Sequence, residues 1–157
     1  MTYKKQLELI IEKLEEELQF HKKQLDYYPE VTLENVVPGS VLEDGSIIIK
    51  NENGLVLLAA PTSTQVEATW SLEFPEVFQK LKEQGFNPSQ WFVPTKEQLQ
   101  LAYTTIPSHF IPTLYWSNTE TEYSTKMSWG MSYYSGTVLA FNKECVCDVR
   151  AFRCVSY

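Results

Sequence analysis

Tyr115-Trp116-Ser117-Asn118-Thr119-Glu120, the string YWSNTE at residues 115–120, runs two large aromatics straight into four short polar or acidic residues. Two roles fit such a string. It is a binding site, with Trp116 as a platform and Asn118 and Glu120 as ligands. Or it is a joint, in which the indole N–H finds an acceptor inside the fold and the hydroxyls tie down backbone at a strand end.

The flanks of this string are β in character. LYWSNTE, TKMSWGMSYY, GTVLAFNK and CDVRAFRCVSY each have strand composition. Met127, Trp129, Met131 and Tyr133 alternate with Ser128, Gly130, Ser132 and Tyr134, which is the period of a strand with two unlike faces. Ser135-Gly136 and Asn142-Lys143 mark the turns. On the N-terminal side, WFVPTKEQLQLAYTTIP opens with a brief strand at Trp91–Val93 that Pro94 ends. Thr95 then stands three residues before Gln98, the spacing of a capping box, and Pro107 closes the helix that follows. EFPEVFQKLKEQGFNP is a second short helix, with Val77, Phe78, Leu81 and Phe86 on its apolar face and Gly85 as its stop. Further upstream, Ile47–Ile49 and Leu55–Ala60 form a hairpin closed by Asn53-Gly54. Both of its strands are continuously apolar, so the hairpin is expected to be central and covered on both faces.

Residues 3–27 contain no Gly or Pro. Leu7, Ile11, Leu14, Leu18, His21 and Leu25 recur at alternating intervals of four and three, a heptad seam. Glu17 and Lys22 flank the seam at the interval of an ion pair between parallel chains. The helix would be about 37 Å long at 1.5 Å per residue. Leu9, Ile10 and Phe20 lie off the seam and offer a second apolar face, the pattern of a helix folded back on its own domain. Self-association as a dimer or trimer is the reading adopted. It divides the chain into a helical stalk, residues 1–28, and a domain, residues 29–157.

Four of these strings occur in the same order in one known family. DGSIIIKNENGLVLLAAP resembles its opening hairpin, WFVPTKEQLQLAY its W-R-L-P-T-x-x-E-L block, YWSNTE its Y-W-S-S-T-E block, and DVRAFRCV its closing V-R-x-V-R strand. The family is DUF1566, the C-terminal domain of the Legionella collagen-like adhesin, found in bacteria and phages and grouped with the C-type-lectin-like and formylglycine-generating-enzyme-like folds. The resemblance covers about residues 40–157 and leaves out the first helix. It implies an α+β, C-type-lectin-like domain of twisted antiparallel sheets with two flanking helices. Phe92 stands where the family usually carries Arg. Many members are secreted with paired cysteines, a feature not seen here.

The recurrence of YWSNTE favours the joint. Trp91, Trp116 and Trp129 are then structural, and Glu120 pairs with a basic residue of the last strand, Arg150 or Arg153. The segment between the two blocks, residues 121–144, is left to carry a binding surface. Tyr123, Lys126, Tyr133, Tyr134 and Asn142 are its candidates, because tyrosines at turn-flanking positions supply rigid contact area with a polar tip.

Composition and motifs narrow the function further. The chain has 157 residues, a net charge of −7 and three Cys. Nucleic-acid binding normally shows a clustered basic footprint, absent here, and no run of residues has the length of a membrane span. The N-terminus is charged throughout, so synthesis in a cytoplasm without a signal peptide is expected, with a virion as one destination. No nucleophile elbow, P-loop or H-E-x-x-H occurs, and His109 is a loop residue between prolines. Asn118, Glu120 and Glu122 fall short of the six to eight oxygens that calcium takes. Cys145, Cys147 and Cys154 are soft metal ligands in principle, but no His accompanies them, and free Cys commonly acts as a small apolar residue. The expectation is a non-enzymatic recognition or structural protein of a phage, without metal or cofactor, whose ligand is a glycan or a protein surface. The alternative is an intracellular phage protein that binds and inhibits or redirects a host protein.

Overall fold

The computed structural model describes residues 2–27 and 33–157, with side chains from 2–22 and 33–157. The stretch around Pro29 and the 28/29 boundary lie outside the described residues. By its internal contacts the chain divides into two compact units, residues 1–32 and 33–157.

The first unit is helix α1, Tyr3–Tyr27. Thr2 starts it, accepting from the Lys5 N–H through its side chain (3.2 Å) and from the Gln6 N–H through its carbonyl (3.1 Å). Taken by itself, the helix leaves Leu7, Ile11, Leu14, Leu18 and His21 exposed, together with Leu9, Ile10 and Phe20. The side chain of Leu25 lies outside the described residues.

The second unit is α+β, and with α1 the described residues hold three α-helices and two mostly antiparallel sheets. Strands β1 (Ile47–Glu52), β2 (Leu55–Ala59) and β8 (Phe152–Ser156) form one sheet, in the order β1-β2-β8. Strands β3 (Val66–Ala68), β4 (Leu114–Glu120), β5 (Met127–Ser132), β6 (Thr137–Asn142) and β7 (Cys147–Val149) form the other, in the order β3-β7-β4-β5-β6. The β4/β7 pair is parallel. Helices α2 (Pro75–Glu83) and α3 (Lys96–Thr105) complete the unit.

Asn53 and Gly54 both take positive φ, 54° and 78°, which closes the β1–β2 hairpin as a turn between apolar strands requires. Its residues alternate between two clusters. Ile47, Ile49 and Ala59 join the core around α3, while Ile48, Val56 and Leu58 pack with Val36. Both faces are thus covered, but only β2 is flanked by two strands; β1 stands at the margin of its sheet.

Each helix covers a different cluster. From α3, Leu99 and Ala102 pack with Tyr115, Met131, Tyr133 and Phe152. From α2, Val77 and Leu81 pack with Trp91, Trp116, Cys147 and Val149. The capping box of α3 is formed on both sides: Thr95 Oγ1 accepts from the Gln98 N–H (3.1 Å), and Gln98 Oε1 accepts from the Thr95 N–H (2.9 Å).

Two strands differ from their sequence reading. Trp91–Val93 is reduced to one bridge, Phe92 with Phe152, since Pro94 follows at once and can donate nothing to a ladder. CDVRAFRCVSY is not one strand. It gives β7 to the larger sheet and β8 to the smaller, with Arg150 and Ala151 at the crossing. At this crossing the fully buried Arg150 donates from Nε to the Ala60 carbonyl (2.7 Å) and from Nη1 to the His109 carbonyl (2.6 Å). The Ala151 carbonyl accepts from the Ala60 N–H (2.9 Å).

Candidate recognition surface

The pairing of β4 with β5 is irregular between Trp116 and Glu120. The irregular residues turn their polar groups toward the start of α3. The Asn118 N–H donates to the Pro94 carbonyl (2.9 Å), and the Lys96 N–H donates to Thr119 Oγ1 (3.2 Å). Ser117 Oγ donates to the Trp129 carbonyl, and Ser128 Oγ to the Thr119 carbonyl (2.8 Å). Trp116 is fully buried, and its indole N–H donates to the Ala68 carbonyl (3.0 Å). YWSNTE therefore ties β4 to the start of α3 and, through the Trp116 indole, to β3 in its own sheet.

The Glu120 carboxylate meets Lys143 Nζ at 3.3 Å, not Arg150 or Arg153. Arg150 is held inside by the carbonyls of the sheet crossing. The Arg153 guanidinium lies 5.9 Å from the centre of the Trp91 ring, and Trp91 is buried.

Because the backbone of Lys96 is tied to Thr119, its ammonium comes to lie 4.6 Å from the centre of the Trp129 ring. Trp129 is half-buried rather than core, and Tyr123, 67% exposed, stands edge-on to it at 6.1 Å. Around the same strand ends, the Lys143 N–H donates to the Lys126 carbonyl and the Trp70 N–H to the Lys143 carbonyl, both at 2.9 Å. Lys143 Nζ lies 4.4 Å over the half-buried Trp70 ring. Asn142 pairs with Met127 across the β5–β6 ladder. Tyr123, Trp129 and Lys96 thus meet on one face, a rim at these strand ends, where Lys126 and Asn142 also lie. Trp70, with Lys143 over it, packs against the Trp116 cluster and gives its indole N–H to the Ser117 carbonyl (2.8 Å). The sequence reading passed over Lys96, Trp70 and Lys143. Trp70 in ATWSLEF and the two lysines carry no local signal; only tertiary contacts bring each lysine to its indole.

Tyr133 and Tyr134 do not belong to this rim. They follow Ser132 at the far end of β5, five residues from Met127, a separation of about 17 Å along an extended strand. Tyr133 is corrected from ligand candidate to core residue. It is 6% exposed, its hydroxyl donates to the Leu99 carbonyl (2.6 Å), and its ring lies 4.7 Å from Tyr115 and 5.0 Å from Phe110. The period-two pattern that puts Met131 against α3 carries Tyr133 there too. Burial raises its phenol far above the ordinary value. Tyr134 is 72% exposed.

The three thiols are dispersed. Cys145 is exposed, Cys147 is buried under α2, and Cys154 is exposed on the smaller sheet. Burial, then Cys145 and Asp148, push the Cys147 thiol up to about 12. Among the described residues no group of three or more His, Cys, Asp or Glu side chains is placed to hold a metal ion. None of the described helices is long and apolar enough to cross a membrane.

In chemical terms the rim offers the Trp129 indole with the Tyr123 phenol and the Lys96 ammonium, near Lys126 and Asn142, on a sheet packed on both faces. A lysine over a solvent-accessible indole contributes on the order of 0.5–1 kcal/mol. A ligand that stacks on the indole must displace that flexible side chain. No family model matches the chain, and no curated protein matches it.

Proposed function

We propose that this chain is a non-enzymatic recognition protein of a phage, a C-type-lectin-like domain resembling the DUF1566 family and carried on a self-associating helix. The rim at Tyr123, Lys126, Trp129 and Asn142 contacts a glycan or a protein surface. The observation that carries this reading is the exposed Tyr123 edge-on to the half-buried Trp129, with Lys96 over the indole. Aromatic faces beside polar tips suit sugar rings and protein contacts alike. The heptad seam supports the stalk. Two or three copies would raise weak rim affinities by effective concentration.

A glycan array and a panel of surface proteins, probed with the intact chain and with Trp129→Ala, test the rim. Retention of binding by Trp129→Ala would remove it from the site. Light scattering of the intact chain against one lacking residues 1–28 tests the stalk. A monomer in both cases would end the multivalent part of the proposal.

A further inference from the structure

A concavity, sharing no residue with the rim, lies among the turn at residues 43–45, the loop at 61–63 and the segment after α2. It holds about 700 Å³, within the range of small-molecule sites. Glu43, Asp44, Phe86, Asn87, Gln90 and Arg153 line it. Ser63 and Gln84, also in the lining, bond to each other (2.8 and 2.7 Å), while several of the remaining polar groups are free. Among the described residues the half-buried Arg153 guanidinium makes no hydrogen bond and no ion pair, and its one neighbour of note is the Trp91 ring. Glu43 has no partner either. Asp44 spends one oxygen on the Ser46 N–H (2.9 Å) and hydroxyl, which fixes the carboxylate and leaves the other oxygen open. Asn87 Oδ1 is taken by Ser89, but its amide nitrogen and both ends of the Gln90 amide are free.

Charges of both signs therefore face one space without pairing to each other. A guanidinium with its donors open suits a planar carboxylate, and does so bidentately. Two carboxylates suit an ammonium. A phosphate at Arg153 would meet repulsion from Glu43 and Asp44. A neutral sugar would leave the guanidinium uncompensated, and a simple amine would do the same. A molecule with a carboxylate and an ammonium on the same carbon answers both charges at once. We infer that this cleft binds a free α-amino acid, its carboxylate on Arg153 and its ammonium on Glu43 and Asp44, with Phe86, Asn87 and Gln90 facing the side chain.

The test is isothermal titration and thermal shift of the full chain against a panel of common amino acids at millimolar concentration. At least one should bind saturably and raise the melting temperature, while its decarboxylated amine and its N-acetyl derivative fail. Arg153→Gln and Glu43→Gln should each weaken binding about tenfold or more, the effect of losing a charge-assisted hydrogen bond. Tyr123→Ala should leave it unchanged, which separates this cleft from the rim. Glu43 sits on an exposed turn, so Glu43→Gln keeps the test valid even if Arg153→Gln disturbs the Trp91 packing. Three results overturn the inference: no amino acid binds, the amine or a neutral sugar binds equally well, or the Glu43→Gln and Arg153→Gln proteins bind as the parent does.

Discussion

Trp116 and Trp129 stand on neighbouring strands of one sheet, and their surroundings are opposite. Trp116 lies across the ladder from Gly130, has its N–H on the Ala68 carbonyl and packs edge-on against Phe141 at 5.8 Å. Trp129 is one residue earlier on β5 and so points to the other face, where the α3 layer thins out to Lys96. A shift of one position along a strand exchanges faces. Which indole becomes a strut and which a contact surface is thus decided by strand parity and by where the covering helix starts.

The sharpest way to break this contrast is truncation. Trp116→Ala should cost about 3–5 kcal/mol, the range for a fully buried large aromatic, and orphan the Ala68 carbonyl as well. Trp129→Ala should cost far less. Urea unfolding of the two variants side by side measures the difference. Equal losses would mean that the rim is as much a part of the core as the strut.

Gly130 sharpens the comparison. A Cβ there would lie 2.6 Å from the Tyr115 carbonyl oxygen and 2.7 Å from two atoms of the Phe141 ring. Gly130→Ala therefore has to move backbone or lift Phe141 off Trp116, and roughly 1–3 kcal/mol of destabilisation is expected, as for overpacking. The near-ultraviolet circular dichroism of the strut tryptophan should change with it. A neutral substitution would show that the sheet gives way there.

The strut side should also respond to alkali. The Cys147 thiol, ordinarily at 9.0, is held up at about 12. Above about pH 9 the unfolded thiol ionises while the folded one keeps its proton. The unfolded state then binds fewer protons, so stability is full below pH 9 and falls as pH rises toward 12. For one proton the slope is at most about 1.4 kcal/mol per pH unit. Urea midpoints taken between about pH 8 and 10 should decline in the parent and flatten in Cys147→Ala. Equal slopes would remove Cys147 as the cause.

How much of this was legible in the sequence differs by residue. The capping box at Thr95 and the Asn53-Gly54 turn are local signals and appear where the spacing puts them. The mixed class, with helices beside antiparallel strands, was legible for the same reason. The crossing at Arg150 was not. CDVRAFRCV has the composition of one unbroken strand, and the carbonyls that hold its arginine, Ala60 and His109, are 90 and 41 residues away. Strand β3 was also missed; three residues are too few to show a period. At the candidate site, the turn-flanking position of Tyr123 was legible, but its pairing with Trp129, read from the sequence as structural, was not. Lys96 reached Trp129, and Lys143 reached Trp70, through tertiary contacts that no local pattern encodes.

Tyr133 and Tyr134 give the smallest test, because they are adjacent and differ only in direction. The Tyr133 hydroxyl has its partner in the Leu99 carbonyl, inside the core. Tyr133→Phe removes that hydrogen bond with little change of shape, so about 1 kcal/mol should be lost. Tyr134→Phe touches no hydrogen bond among the described residues and should stay within about 0.5 kcal/mol of the parent. The alkaline titration of the phenols gives a second readout. With burial holding its phenol far up, Tyr133 should not ionise until the protein unfolds, while Tyr134 stands in solvent. The ultraviolet absorbance rise of folded protein should therefore be the same for the parent and Tyr133→Phe. Should Tyr133→Phe diminish that rise before unfolding, Tyr133 would have to reach solvent, and the sheet face under α3 would be an open surface instead of core.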